Sequence, residues 1–440
     1  MLSYDQFNGQ LKKFTSFVVE SMNNAEWFAD AKPQLLSSDQ FFIEGPEDRS
    51  SLFVPFVQKI IVDAKSKVFV IADIHGDIGA ISSILKHARE TGYLSEDNKV
   101  LLPNVYFVFL GDYVNRGAFG VDVVSLLIDL YLKNKNSVFL LRGNHEYAWS
   151  NKRFDGRHAT VEATLGQTSS VSFLQQISQR FGSYTYPDLL YWYDCLPMAL
   201  YLGSTDANGK TSYIKFCHAG LEIGDSQAEF LADLGSVFKY ITVLNRSDAL
   251  ALIIKSGVIP NIAQQIEKSE KLVVDEECML YRQSYSTDAI DLSRDSRPCL
   301  QRIGMQWNNF TTEEESEVQF ALSSVGRNIY VGRVLAQYLF DRASTQFVQL
   351  VGVMRGHQHL DEEIPAIGLK TTMMTRIKKD KGLVKQWDGM VYTLGATASI
   401  SGYQSFAIVT IDNKHNFESV RHYFKTPESR DFSMRMMPMN

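Results

Sequence analysis

A chain of 440 residues, 45% hydrophobic and 21% charged, can bury a large core and could form one enlarged domain or two. Its formal net charge of -6 gives no reason to expect a nucleic-acid partner or an anionic membrane surface. Four cysteines (Cys195, Cys217, Cys278, Cys299) without a CxxC pair exclude a disulfide framework and fit a reducing compartment; no stretch approaches about 18 apolar residues, so no membrane span is expected and the chain reads as cytoplasmic.

Residues 1–67 read as a helical extension. Leu2, Phe7, Leu11, Phe14, Phe17 and Val18 recur at three- and four-residue steps, which predicts an amphipathic helix packed on the domain that follows. Glu47 to Ser51 is a polar break, and Leu52 to Ala64 is expected as a helix feeding the first strand. Three apolar β-branched or aromatic runs come next: Val68 to Ala72, Val105 to Leu110 and Val138 to Leu141. They read as buried parallel strands, and Gly79 to Glu90 and Val121 to Leu132 between them carry helical spacing. The order β-α-β-α-β places whatever follows each strand on one rim, because ligand sites of open α/β sheets lie at the carboxyl ends of the strands.

Those positions hold Asp73-Ile-His75-Gly76-Asp77, Gly111-Asp112-Tyr113-Val114-Asn115-Arg116-Gly117 and Arg142-Gly143-Asn144-His145-Glu146. Two Asp, one Asn and two His at strand ends make a set of hard and borderline oxygen and nitrogen donors. Cysteine is absent from the set, which favours a divalent site with open positions over a closed structural zinc site.

Tyr147 to Gln179 reads as loops around one short helix. Ile214 to Cys217 is a strand that delivers His218, and Phe347 to Val353 a strand that presents Arg355 and His357. Between them, residues from about 226 to 300 are expected to form a mostly helical insertion covering the core: Phe230, Leu231, Leu234, Val237, Phe238, Ile241 and Leu244 show helical period. Met390 to Leu394 and Ser405 to Ile411 read as closing strands, and 413–440 as a C-terminal tail whose Met-rich end is loosely ordered.

Asp-x-His-Gly, Gly-Asp-x-x-x-Arg-Gly and Gly-Asn-His-Glu in this order resemble the signature of the phosphoprotein phosphatase (PPP) family of dinuclear metallophosphoesterases. Cys217-His218-Ala219-Gly220-Leu221 and Arg355-Gly356-His357-Gln358 are similar to the family's two later motifs. The resemblance implies an α/β fold, a metallophosphoesterase-like β-sandwich flanked by helices, with 68–412 as the catalytic domain. It further implies that Asp73 and His75 bind one metal ion, that Asp112 bridges two, and that Asn144, His218 and His357 bind the second. The two divalent ions would be manganese foremost, with iron, zinc or magnesium as alternatives, and a hydroxide bridging them would attack phosphorus directly. Arg116 and Arg327 would clamp the phosphate, with Arg333 as a rival to Arg327, and His145 would be the general acid. Asn115 stands where the family has an Asp beside that histidine, and its side-chain oxygen is expected to accept the imidazole N–H.

The implied substrate is a phosphorylated protein, at Tyr or at Ser/Thr, and the implied activity is phosphoprotein phosphatase. The insertion and the altered final loop look more like divergent bacterial members, of the WipA/WipB effector type, which would act in a host cell cytoplasm. Two other functions fit the same residues: a nucleotide polyphosphate hydrolase of the diadenosine tetraphosphatase type, and a weakly active phosphoprotein-binding module. The oligomeric state stays open.

Overall fold

Two mixed β-sheets lie face to face, and helices cover the outer face of each. In the computed structural model the described residues are 2–30, 55–146, 173–182, 192–224, 226–241, 246–262, 308–312, 319–322, 329–358, 361, 363–364, 369–395 and 402–439. One sheet has seven strands, in spatial order Leu383–Gln386, Val391–Leu394, Val348–Arg355, Thr211–Cys217, Ala199–Thr205, Phe56–Ile61 and Phe238–Tyr240. The other has six, in the order Ser433–Pro438, Phe417–Lys425, Gln404–Ile411, Lys67–Ile71, Val105–Phe109 and Val138–Leu140.

The strand Lys67–Ile71 shows why the layers form. Side chains alternate across a strand. Val68 and Val70 therefore meet Leu200, Ile214 and Phe216 of the opposite sheet, while Phe69 and Ile71 lie under the helices with Phe107 and Phe109. Both faces are buried, so the run is continuously apolar. The strands Lys67–Ile71, Val105–Phe109 and Val138–Leu140 pair in parallel, as the helical crossovers Ile78–Glu90 and Gly120–Lys133 between them require. The three motifs thus emerge at one edge of the sandwich, where the parallel strands Thr211–Cys217 and Val348–Arg355 also end.

The N-terminal helix Tyr4–Asn24 starts at a capping box in which Ser3 and Gln6 bond each other's backbone. It buries Phe7, Leu11, Phe14, Val18 and Met22, each contributing roughly 1.5 to 3 kcal/mol. Phe14 packs against Tyr131 of the helix Gly120–Lys133, with ring centroids 4.6 Å apart.

Three expectations change. The helix expected over Leu52 to Ala64 is, among the described residues, the strand Phe56–Ile61, which pairs in parallel with Ala199–Thr205. Its β-branched and aromatic residues suit either state locally, and the sheet position decides. In the insertion, the helical run from Phe230 stops at Ala232. The Asp233 carboxylate accepts the Gly235 N–H at 3.0 Å to form a turn, and Phe238–Tyr240 becomes an edge strand antiparallel to Phe56–Ile61. The helix Arg246–Ser256 follows, and residues 263–300 of the insertion lie outside the described residues. The tail 413–440 contains the strands Phe417–Lys425 and Ser433–Pro438, the second in the Met-rich end expected to be loose, because strand edges in the six-stranded sheet give its backbone partners. No described helix is long and apolar enough to cross a membrane.

Candidate active site

Glycine allows the loops at the rim to interlock. A Cβ on Gly143 would collide with the Asp112 backbone nitrogen, and one on Gly356 with the Asp73 carboxylate. Around them His75, Asp112, Asn115, Arg116 and His357 all have left-handed backbone, with φ of 47°, 55°, 66°, 68° and 67°. For Arg and His that conformation costs roughly 1 kcal/mol or more each, so the surrounding contacts must hold it.

Glu146 does much of the holding. Its fully buried carboxylate accepts the backbone N–H groups of Asp112 at 2.7 Å, Tyr113 at 2.8 Å and Gly143 at 2.9 Å. Burial and the neighbouring Asp112 push its carboxyl up to about 8, against the pull of those donors toward the anion. Arg142, also buried, bonds the Glu146 carbonyl at 3.0 Å and the Asp194 carboxylate at 2.9 Å.

Each aspartate divides its oxygens between fold and site. Asp112 Oδ1 accepts the His145 N–H at 2.9 Å, and Asp73 Oδ1 accepts the His357 N–H at 2.9 Å. Asp112 Oδ2 has no hydrogen-bond partner among the described residues, although it is buried. It lies 3.3 Å from His218 Nε2, 3.5 Å from His75 Nε2 and 3.9 Å from His145 Nε2. An anionic oxygen left bare of donors and ringed by imidazole nitrogens fits a cation.

The histidines are oriented for that role. His75 Nδ1 lies 3.0 Å from the Val114 carbonyl and His218 Nδ1 3.2 Å from the Leu110 carbonyl. Each Nδ1–H donates there, which leaves Nε2 as the lone-pair nitrogen facing Asp112. Burial, then the Arg116 charge, holds His75 well below its ordinary value, and burial, then His218, does the same for His357. Both rings are therefore neutral, as ligation requires. For His218 burial opposes the charged ring, but Asp112 and Asp73 outweigh it and raise its value. Asn144 Oδ1 lies 2.7 Å from His218 Nε2 and 2.9 Å from His357 Nδ1.

The donors form two buried groups that share Asp112: His75, Asp112 and His145, and Asp73, Asp112 and His218. This arrangement is consistent with a dinuclear metal site. Asp73 faces both groups, its carboxylate 3.9 Å from His75 Nε2 and 3.8 Å from His218 Nδ1. Residues 66–275 match the family model described as Calcineurin-like phosphoesterase. Over this region the chain is similar to calcineurin-like phosphoesterases.

The chain is also similar, over short stretches, to serine/threonine protein phosphatases. The chain is 40% identical over 86 residues to the Serine/threonine-protein phosphatase 6 catalytic subunit of Caenorhabditis elegans, covering 20% of this chain and 23% of that protein. It is 35% identical over 101 residues to Serine/threonine-protein phosphatase rdgC of Drosophila melanogaster, covering 23% of this chain and 14% of that protein. The matches thus span less than a quarter of these relatives' lengths. Among solved structures, a serine/threonine phosphatase of Saccharomyces cerevisiae with similarity to human phosphatase PP5 superposes with a TM-score of 0.44 at 14% identity, covering 97% of this chain and 90% of that one. A cold-active protein-tyrosine phosphatase of Shewanella superposes at 0.41 with 12% identity, covering 86% and 83%.

Beside the candidate metal centre, Arg116 is half-buried on the loop that follows Asp112. Arg327 lies outside the described residues. Its rival Arg333 opens the helix Arg333–Arg342, exposed, with its guanidinium 3.6 Å from Asp388. Asp77 accepts the Ala80 N–H at 2.9 Å and so caps the helix Ile78–Glu90.

Asn115 requires a correction. Its Oδ1 accepts the Phe173 N–H at 2.8 Å, so Nδ2 is the atom 3.0 Å from His145 Nδ1. The imidazole nitrogen accepts from the amide instead of donating to it. The cause is the helix Phe173–Phe181, whose first N–H has no intrahelical partner and takes the side-chain oxygen.

Sequence reasoning gave no role to Arg355 and Gln358, although both stand in the last motif, and it missed Gln176. Arg355 is buried and bonds the Ala219 and Asn308 carbonyls and Gln358, joining the loops of His218 and His357. Gln358 brackets the Phe310 backbone at 2.9 and 3.0 Å. Gln176 bonds Gly117 and Gly120. Apart from the bond between Arg355 and Gln358, three residues apart, these bonds span long stretches of sequence and leave no local pattern.

Proposed function

We propose that this protein is a metal-dependent phosphoprotein phosphatase hydrolysing phosphomonoesters on protein side chains. The observation that carries the reading is the bare, buried Asp112 Oδ2 among three imidazole nitrogens, with Arg116 four residues along the same loop. Asp73 and His75 would hold one divalent ion, Asn144, His218 and His357 the other, and Asp112 both. Two such ions, manganese foremost, supply Lewis-acid activation of water and charge stabilisation for in-line displacement at phosphorus.

The chain's own groups perform the rest. The Arg116 guanidinium, whose charge reaches His75, would take two phosphate oxygens through its planar fork and position the ester. His145 lies at the edge of the shared carboxylate, with Nε2 3.9 Å from Asp112 Oδ2, where a proton can pass to the leaving oxygen. Asn115 and the backbone N–H bond to Asp112 hold the imidazole in place. The similarity to serine/threonine protein phosphatases supports a protein substrate, phosphorylated at Tyr or at Ser/Thr.

Phosphate release from matched phosphotyrosine, phosphoserine and phosphothreonine peptides, against a panel of nucleotide polyphosphates, tests this reading on chelated and manganese-reconstituted protein. Turnover on peptides that disappears on chelation is expected. Turnover confined to dinucleotides would replace it with the diadenosine tetraphosphatase type, and stoichiometric binding without turnover with a phosphoprotein-binding module.

A further inference from the structure

The loop that carries Arg116 is gripped from two sides. On one side the His75 carbonyl accepts the Gly117 N–H at 2.9 Å and the Gly76 carbonyl accepts the Phe119 N–H at 3.2 Å. On the other stands the helix Phe173–Phe181. Its Gln176 side chain is 7% exposed, with Oε1 accepting the Gly120 N–H and Nε2 donating to the Gly117 carbonyl, both at 2.7 Å. One backbone donor and one backbone acceptor leave the amide a single satisfying orientation.

Gly120 is the first residue of the helix Gly120–Lys133, and the residue at its N-cap, Phe119, makes no side-chain capping bond. Gln176 supplies that cap from another helix. Asn115 returns the favour by accepting the Phe173 N–H at 2.8 Å. These bonds enclose Asn115 and Arg116, consecutive residues at φ 66° and 68° that would relax toward commoner backbone if released.

We infer that Gln176 is a positioning residue for Arg116: by bonding Gly117 and Gly120 it holds the arginine in the left-handed conformation that aims its guanidinium at the phosphate. The inference rests on the proposed phosphate-binding role of Arg116. It extends the site to a helix beyond the motifs.

The test is the dissociation constant of inorganic orthophosphate for the manganese-loaded full chain, measured by isothermal titration calorimetry, with metal content determined alongside. Gln176→Leu is expected to weaken phosphate about tenfold at unchanged metal content, since small misplacement of a bidentate group is costly. Arg180→Ala removes the bond from the same helix to Asp122, 2.8 Å long, without touching the loop, and is expected to leave phosphate affinity unchanged. Arg116→Ala should weaken phosphate as well, and adding Gln176→Leu to it should weaken phosphate no further, because both changes remove one interaction. Additive effects, wild-type affinity in Gln176→Leu, or equal losses in Gln176→Leu and Arg180→Ala would overturn the inference. Wild-type affinity in Arg116→Ala would overturn the reading of Arg116 and this inference with it. Should Gln176→Leu not fold, Gln176→Glu keeps the acceptor for Gly120 but sets an oxygen against the Gly117 carbonyl, and is judged by the same outcomes.

Discussion

The side-chain amide of Asn115 donates from Nδ2 to His145 Nδ1 across 3.0 Å, so the neutral ring carries its proton on Nε2. A carboxylate at position 115 would accept from that nitrogen and favour the protonated ring, while still capping Phe173. Asn115→Asp is therefore expected to raise kcat several-fold on phosphoserine peptides and less on phosphotyrosine peptides, whose phenolic leaving group has a pKa of about 10 and needs the acid less. Equal changes on both substrates would show that His145 is not the acid.

Asp112 is common to both candidate metal groups, and its Oδ1 also holds the His145 N–H at 2.9 Å. Asp112→Asn removes the charge that offsets two neighbouring cations. The expected outcome is loss of stoichiometric binding of two ions together with loss of turnover, measured by elemental analysis and phosphate release. Two tightly held ions in the variant would refute a bridging role.

The described residues of the segment 226–271, 226–241 and 246–262, contribute to the core. Phe230, Leu231 and Ile253 are buried, Phe238–Tyr240 pairs with Phe56–Ile61, and the buried Lys59 bonds the Phe230 and Asp233 carbonyls. Replacing this segment with a short linker is expected to yield insoluble or molten protein, checked by size exclusion and near-ultraviolet circular dichroism. A soluble variant that still hydrolyses para-nitrophenyl phosphate but not phosphoproteins would assign the segment to substrate selection instead.

His422 is fully buried, neither ring nitrogen has a hydrogen-bond partner among the described residues, and burial with Arg435 nearby pushes its value down from 6.5 to about 3. The unfolded chain binds a proton below pH 6.5 that the folded chain refuses until about 3, so this residue costs stability as pH falls through that window. His422→Leu is expected to stabilise at pH 7, and its advantage to grow by on the order of 3 kcal/mol at pH 4. Urea unfolding at the two pH values measures this; a constant difference would mean that the ring titrates normally in the fold.

Much of the fold was legible in the sequence because both faces of the central strands are buried, which makes Val68 to Ala72 and Val105 to Leu110 continuously apolar. Their motifs follow directly along the chain, so the gathering of Asp73, His75, Asp112, Asn144 and His145 at one rim could be read from local order and the geometry of parallel strands. What tertiary structure alone decided are states that depend on partners remote in sequence. Phe56–Ile61 and Phe238–Tyr240 are strands because sheet positions awaited them, and the C-terminal residues are ordered because neighbouring backbone paired with theirs. The same holds for Asn115, which could donate or accept until Phe173, 58 residues away, claimed its oxygen. Gln176 had no reason to be noticed at all, since its role consists of two hydrogen bonds to backbone 59 and 56 residues distant. A side chain's composition sets which bonds it can make, and only the packed neighbours select which of them it does make.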